Sequence, residues 1–188
     1  CRSAVLSVLD YAKRTRKTVS YDPNYRASLW KGEEEAVKYM RLIAGYADLI
    51  KISEEEISLI TGKNDPEEAA RILHDGGAAC VAVTLGGRGA LVSAQGQARQ
   101  IPPFPVEKPT DTTGAGDVFH GAFDAAYLNG MDVVSAAKYA TGVSSIKCTE
   151  MGGRAGIPDK ETLEKFLKTG KIDRSNIIKR VEHYKRGI

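Results

Sequence analysis

Val5, Leu6, Val8, Leu9 and Ala12 recur at the spacing of one helix face, and the basic run Lys13-Arg14-Thr15-Arg16-Lys17 comes directly after them. An apolar stripe followed by positive charge predicts a helix ending in that run, because cations favour a helix C-terminus. Val19 to Tyr21 then reads as a short strand. Asp22-Pro23-Asn24 stops it, since proline cannot donate to a central ladder and Asp and Asn favour turns. The same order of helix and strand recurs: helix over Glu33 to Ala44, strand over Leu49 to Ile52, and a helix opening at Ser53. Pro66 to Asp75 is a further helix, closed by Gly76-Gly77. Cys80-Val81-Ala82-Val83-Thr84-Leu85 is a continuous apolar run, the pattern of a parallel strand buried on both faces. Ala90 to Ser93 and Gln97 to Ile101, either side of Ala94-Gln95-Gly96, predict a hairpin and so a mixed sheet. Beyond Asp111 the pattern is nearly all helix, and Ile177, Ile178, Val181 and Tyr184 mark a docked terminal helix with a solvated charged face.

Helix and strand in alternation argue for an α/β sheet covered by helices, with ligands beyond the carboxyl ends of the strands. The 188 residues fit one domain, and a hydrophobic fraction of 42% supplies a sizeable core. Lysine and arginine number 27 against 24 acidic residues, a net charge of +3, which leaves no basic field for nucleic acid but keeps small acidic ligands in play. Cys1, Cys80 and Cys148 are odd in number without CxxC spacing, as expected of a reducing compartment. No apolar run approaches the roughly 20 residues of a membrane span, and no signal-peptide pattern opens the chain. A cytoplasmic protein without membrane contact is the expectation.

Asp111-Thr112-Thr113-Gly114-Ala115-Gly116-Asp117 runs straight into a helix whose buried stripe is Phe119, Ala122, Phe123 and Ala126. Unpaired N–H groups and the positive dipole end make a helix N-terminus an anion site, and glycines let a phosphate approach the backbone. Gly114, Ala115 and Gly116 thus form a candidate anion hole for a transferring phosphoryl group. Asp117 stands where a base could take the proton of an attacking alcohol. The plainer alternative is that Asp117 complements the helix dipole and Gly-Ala-Gly makes a tight turn.

The full string, continued by Val118-Phe119-His120-Gly121-Ala122-Phe123, resembles the C-terminal signature of the ribokinase-like PfkB family of carbohydrate kinases. Tyr21-Asp22-Pro23-Asn24-Tyr25-Arg26 and Leu29-Trp30 resemble the corresponding segment of fructokinases and 2-keto-3-deoxygluconate kinases. The resemblance implies a ribokinase-like (Rossmann-like) α/β fold with a largely parallel sheet and helices on both faces. It implies ATP-dependent transfer of the γ-phosphate to a sugar hydroxyl, with Asp117 as base. It makes residues 1–188 the C-terminal ATP-binding and catalytic portion of one kinase domain. Family members run to roughly 300 residues, near the upper range of single domains, so the N-terminal part and a lid are expected outside this chain, and any homodimer is expected through that lid. Fructokinase is the first expectation; another PfkB-type sugar or nucleoside kinase, 2-keto-3-deoxygluconate kinase included, is the second. A nucleotide-binding regulatory fragment is the alternative without catalysis.

Individual residues carry further expectations. Ser53-Glu54-Glu55-Glu56 resembles the family's Asn-x-x-Glu element with serine for asparagine, which implies that Glu56 organises Mg2+ through water; Ser-x-x-Glu is equally a helix capping box. Thr84, Gly86 and Gly89 resemble the loop beside the ATP phosphates and ribose, although glycines in a turn after a strand are common without a ligand. Thr141 resembles an adenine-pocket wall, in place of the commoner asparagine. Asp22, Asn24 and Arg26 are expected to touch the sugar or the γ-phosphate, with an Arg26–Asp22 ion pair as the structural alternative. Asp111 and Thr113, with carbonyls near Cys148 to Gly156, resemble a loop pair that binds K+; a loop held by hydrogen bonds alone stays open. Trp30 is expected to pack, and His120 carries no assigned role.

Overall fold

The structure is a computed structural model and describes residues 2–106 and 109–186; Cys1 lies outside them. The chain divides into two compact units. The first comprises residues 1–86 and 91–100 and the second residues 87–90 and 101–188.

The first unit carries a five-stranded sheet in the order β1-β2-β3-β4-β5, with β1 Ser20–Tyr21, β2 Leu49–Ser53, β3 Cys80–Thr84, β4 Ala90–Ala94 and β5 Gln97–Ile101. β1 pairs parallel with β2, Tyr21 opposite Ile50, and β2 pairs parallel with β3, Ser53 opposite Thr84. β4 and β5 meet through Gln95 and Gly96, both at positive φ (51° and 73°). Two such residues make the hairpin turn whose twist matches the strands, so the pair is antiparallel and the sheet mixed, as the sequence predicts.

Four helices accompany the sheet strands: α1 Arg2–Arg14, α2 Glu33–Ala44, α3 Ile57–Thr61 and α4 Pro66–Asp75. Ala36, Met40 and Ala44 of α2, Ile57 and Ile60 of α3, and Ala69, Ala70 and Leu73 of α4 form one core with Ile50, Ile52, Val81 and Val83. Those strand residues alternate along β2 and β3, so they share one face of the sheet. Trp30 packs against this core and stacks on Tyr39, as expected. Asp65 accepts from Glu68 N–H at 2.8 Å and Pro66 follows it, which explains why α4 begins there. Two local expectations are corrected. The helix predicted from Ser53 is first a tight 3-10 turn over Glu54–Glu56 and only then α3. Of the predicted α1 stripe, Leu9 and Ala12 are buried while Val5 and Val8 are exposed.

Lys51 was not foreseen. It stands in the apolar run of β2, only 5% exposed, with its ammonium 3.0 Å from Asp22 Oδ2. A buried charge is tolerable when paired, and removing one partner strands the other. Asp22→Asn is expected to cost about 3–5 kcal/mol in chemical denaturation, whereas the double change with Lys51→Met recovers most of it. A loss in the double variant equal to the sum of the two single losses would show that the pair is not coupled.

The second unit holds α5 Ala115–Leu128, α6 Val133–Lys147, α7 Lys160–Thr169 and α8 Ser175–Arg186. Val143 and Ile146 of α6, Leu163 and Phe166 of α7 and Ile177 of α8 form its core, with Phe104, Val118 and Val181 packed against it. Asp132 caps α6 through Val134 and Ser135, and Asp159 caps α7 through Thr162. Ile177 and Val181 dock α8 as predicted, while Ile178 and Tyr184 are exposed. Among the described residues no helix is long and apolar enough to cross a membrane.

Candidate functional site

The candidate residues fall into two groups, one in each unit. In the first unit they gather where β1, β2 and β3 end, the carboxyl edge that α/β sheets leave open to ligands. Asp22 follows β1 and holds Lys51; its Oδ1 accepts from Asn24 N–H at 3.1 Å, an Asx turn that places Asn24 at φ 46°. Arg26 is exposed, and its Nη1 donates to Tyr25 O at 2.8 Å. Glu56 is 5% exposed and ties two strand ends together. Its Oε2 accepts from Ser53 N–H at 2.8 Å and Ser53 Oγ at 2.9 Å, and its Oε1 accepts from Tyr25 N–H at 2.7 Å. Burial, then the charges of Glu56 and Asp22, push the Tyr21 phenol well above its ordinary value. Thr84, the last residue of β3, donates through Oγ1 to Ile52 O at 3.4 Å. Gly86 beyond it has φ 56° and open space where a Cβ would stand.

In the second unit the group is built on the start of α5. Gly114 precedes the helix at φ 73°, and no side chain caps it. Ala115 N–H turns back to Thr112 O at 3.0 Å and Val118 N–H to Gly114 O at 2.9 Å. The amides of Gly116 and Asp117 lie in the first turn, among those a helix leaves without an intrahelical acceptor. Asp117 is exposed there, its Oδ2 3.8 Å from the place a Cβ on Gly114 would take. That Cβ would also meet Gly153 Cα at 3.3 Å, so the loop around Gly153 leans on the helix start. Ser144 of α6 secures the same turn, donating to Ala115 O at 3.0 Å.

Asp111 clamps the approach to α5. Oδ1 accepts from Thr113 N–H at 2.8 Å, Oδ2 from Gly152 N–H at 2.7 Å, and the backbone carbonyl from Lys147 Nζ at 2.8 Å. The Thr113 backbone first, then its hydroxyl and the Gly152 N–H, hold the Asp111 carboxyl down at about 2. A depressed carboxyl stabilises the fold above its unfolded value near 3.9, and that contribution is lost as pH falls through about 2. Carbon-13 NMR should therefore find the Asp111 carboxyl still ionised at pH 3; titration near 3.9 would mean that the clamp is absent.

Three placements differ in character from the rest. Thr141 is buried in α6 and donates its hydroxyl to Ala137 O at 2.8 Å. Gly89 has φ 87°, and a Cβ there would lie 2.1 Å from Ile101 O. His120 faces Asp124 at 3.3 Å on α5. The sequence did not single out Lys51, Ser144 or Lys147. A signal existed for Lys51, which interrupts the apolar stretch Leu49 to Ile52.

A family profile described as pfkB family carbohydrate kinase matches residues 1–160. The chain is 30% identical over 171 residues to an ATP-dependent 6-phosphofructokinase of Thermoanaerobacterium thermosaccharolyticum, covering 91% of this chain and 53% of that protein. It is 33% identical over 177 residues to probable fructokinase-4 of Arabidopsis thaliana, covering 89% and 54%. Among solved structures, a putative ribokinase II from E. coli in complex with ATP and Mg2+ matches at a TM-score of 0.80 and 27% identity, over 88% of this chain and 53% of that one. A fructokinase double mutant from Vibrio cholerae, in a fructose-, ADP- and potassium-bound form, matches at 0.81 and 31%, over 88% and 55%. The chain thus spans about half the length of the curated relatives it matches.

Proposed function

Because the chain belongs to the pfkB family of carbohydrate kinases, we propose that the complete protein transfers the γ-phosphoryl group of ATP to a hydroxyl of a small carbohydrate. The observation that carries this reading is the start of α5: a left-handed glycine, no side-chain cap, and an exposed carboxylate in the first turn. Asp117 takes the hydroxyl proton, the freed oxygen bonds to the γ-phosphorus, and the bond from that phosphorus to the β–γ bridging oxygen breaks to release ADP. First-turn amides stabilise the charge spread over the equatorial phosphoryl oxygens. Ser144 and the Asp111 clamp keep those amides in place beforehand, so little reorganisation is needed during transfer.

A magnesium ion fits the residues present if its ligands come chiefly from phosphates and water. Among the described residues no three His, Cys, Asp or Glu side chains gather in a way that could hold a metal. Both oxygens of Glu56 already accept protein donors, so Glu56 would reach the ion through water. When bound, the ion neutralises charge on the phosphate oxygens. Thr84 and Gly86 fit the phosphate side of the nucleotide, because Gly86 leaves the backbone open to close approach.

Fructose is the leading acceptor, supported by the fructokinases among the relatives. The exposed guanidinium of Arg26 favours a second reading, a keto-sugar acid whose carboxylate it would clamp. The full-length protein with ATP and magnesium, tested on fructose, fructose 6-phosphate, ribose, nucleosides and 2-keto-3-deoxygluconate, should turn over at least one. Nucleotide binding without turnover of any would favour a regulatory protein instead.

A further inference from the structure

The ladder between β1 and β2 ends at Tyr21–Ile50, while that between β2 and β3 runs on to Ser53–Thr84. Pro23 explains the early stop, since it has no N–H to give to a ladder. The segment carrying Asp22, Asn24 and Arg26 thus lies past the ladder's end, and two side chains from β2 and the turn after it take over. Lys51 Nζ lies 3.0 Å from Asp22 Oδ2, and Glu56 Oε1 accepts from Tyr25 N–H at 2.7 Å. Asp22 Oδ1 in turn accepts from Asn24 N–H at 3.1 Å, with Asn24 at φ 46°, a left-handed conformation uncommon outside glycine. Lys51 therefore stands at the head of a short chain of bonds: ammonium to carboxylate, carboxylate to the Asn24 amide.

An ammonium is a costly choice for this place. Leu49, Ile50 and Ile52 around it are buried and apolar, and the Lys51 and Asp22 side chains are only 6% and 10% exposed. Replacing a buried ion pair by apolar residues of similar volume is often neutral or even stabilising, so stability alone does not call for the pair. What it supplies, and an apolar pair does not, is direction: the ammonium fixes where the carboxylate points. We infer that Lys51 is a positioning residue for the acceptor, whose ammonium sets the Asp22–Arg26 segment in the conformation in which Asn24 and Arg26 receive the carbohydrate. The inference rests on the kinase reading for what the segment binds; the anchoring of the segment does not depend on it.

Full-length Lys51→Met leaves Asp22, Asn24 and Arg26 in place. Its KM for the acceptor should rise about tenfold or more, because the binding-competent conformation of the segment becomes a minor one. Affinity for a non-hydrolysable ATP analogue should stay within about twofold, since the lost interaction serves the acceptor alone. Lys51→Met combined with Asp22→Asn should recover most of the melting temperature but not the acceptor KM. If KM returns together with melting, the lysine only balanced the buried charge of Asp22 and the proposal is overturned. An unchanged acceptor KM in folded Lys51→Met, or an equal loss of analogue affinity, overturns it as well. Hydrogen exchange at the Tyr25 amide gives a readout that needs no turnover. It should be about tenfold or more faster in the double variant than in the unaltered protein, because local opening of the segment becomes easier; unchanged protection overturns the proposal. This measurement decides alone if Lys51→Met does not fold. If the unaltered protein phosphorylates no acceptor, the kinase reading fails, while Tyr25 exchange still judges whether Lys51 sets the segment.

Discussion

Asp117→Asn is expected to lower kcat by about 10²–10⁴-fold while leaving adenine-nucleotide affinity within a few-fold. The carboxylate is exposed in the first turn of α5, so its charge contributes little to the fold beyond its interaction with the helix dipole. Asparagine keeps the shape of the side chain and loses the basic lone pair at pH 7, so the loss belongs to proton removal and appears in kcat rather than KM. If Asp117 only complemented the helix dipole, the change would cost about 0.3–1 kcal/mol of stability and leave turnover intact. Measuring kcat and melting temperature on the same variant separates the two roles. A kcat within threefold of the unaltered protein would remove Asp117 from the mechanism.

The elements were legible because their signals were local. Helices α2 and α4 fall on the predicted residues, and the apolar run from Cys80 becomes the buried strand β3. The exceptions have physical causes. Ser53 opens a 3-10 turn because the Glu56 carboxylate reaches back to Ser53 and across to Tyr25, tightening the backbone before α3 begins. Val5 and Val8 obey the spacing of a buried stripe but are exposed, since periodicity reports a face and not what covers it. The site was legible where chemistry is written in consecutive residues, as in Asp111 to Asp117. It was not legible where side chains arrive from distant segments. Lys51 meets Asp22 across 29 positions and Lys147 meets Asp111 across 36, and no spacing rule reaches that far.

Glu56 shows how one residue supports two readings. Its bonds to Ser53 give it the structural role that the Ser-x-x-Glu pattern allows, and its bond to Tyr25 adds a tie to the segment carrying Asp22, Asn24 and Arg26. The structural role alone already accounts for its burial.

Gly89→Ala is expected to destabilise the protein by roughly 3 kcal/mol or more, against roughly 1–2 kcal/mol for Gly86→Ala. Both glycines sit in the turn after β3 at positive φ, 87° and 56°, so an L side chain is strained at either. The space around them differs. A Cβ on Gly86 meets nothing within 4 Å, whereas one on Gly89 would stand 2.1 Å from Ile101 O, 2.8 Å from Pro103 N and 2.9 Å from Pro102 C. Those atoms are backbone held at the end of β5, so the contact cannot be relieved by a rotamer change. For a chain of this size the cost at Gly89 corresponds to a melting temperature lower by roughly 6–12 °C. Gly86→Ala, in contrast, should melt within a few degrees of the unaltered protein, since its methyl group meets open space; on the proposed nucleotide role of Gly86 it should lose nucleotide affinity. Melting curves and calorimetric titration of both variants assign the roles. A Gly89→Ala protein as stable as the Gly86→Ala protein would show that the turn yields, and that Gly89 serves the ligand rather than the packing of the strand end.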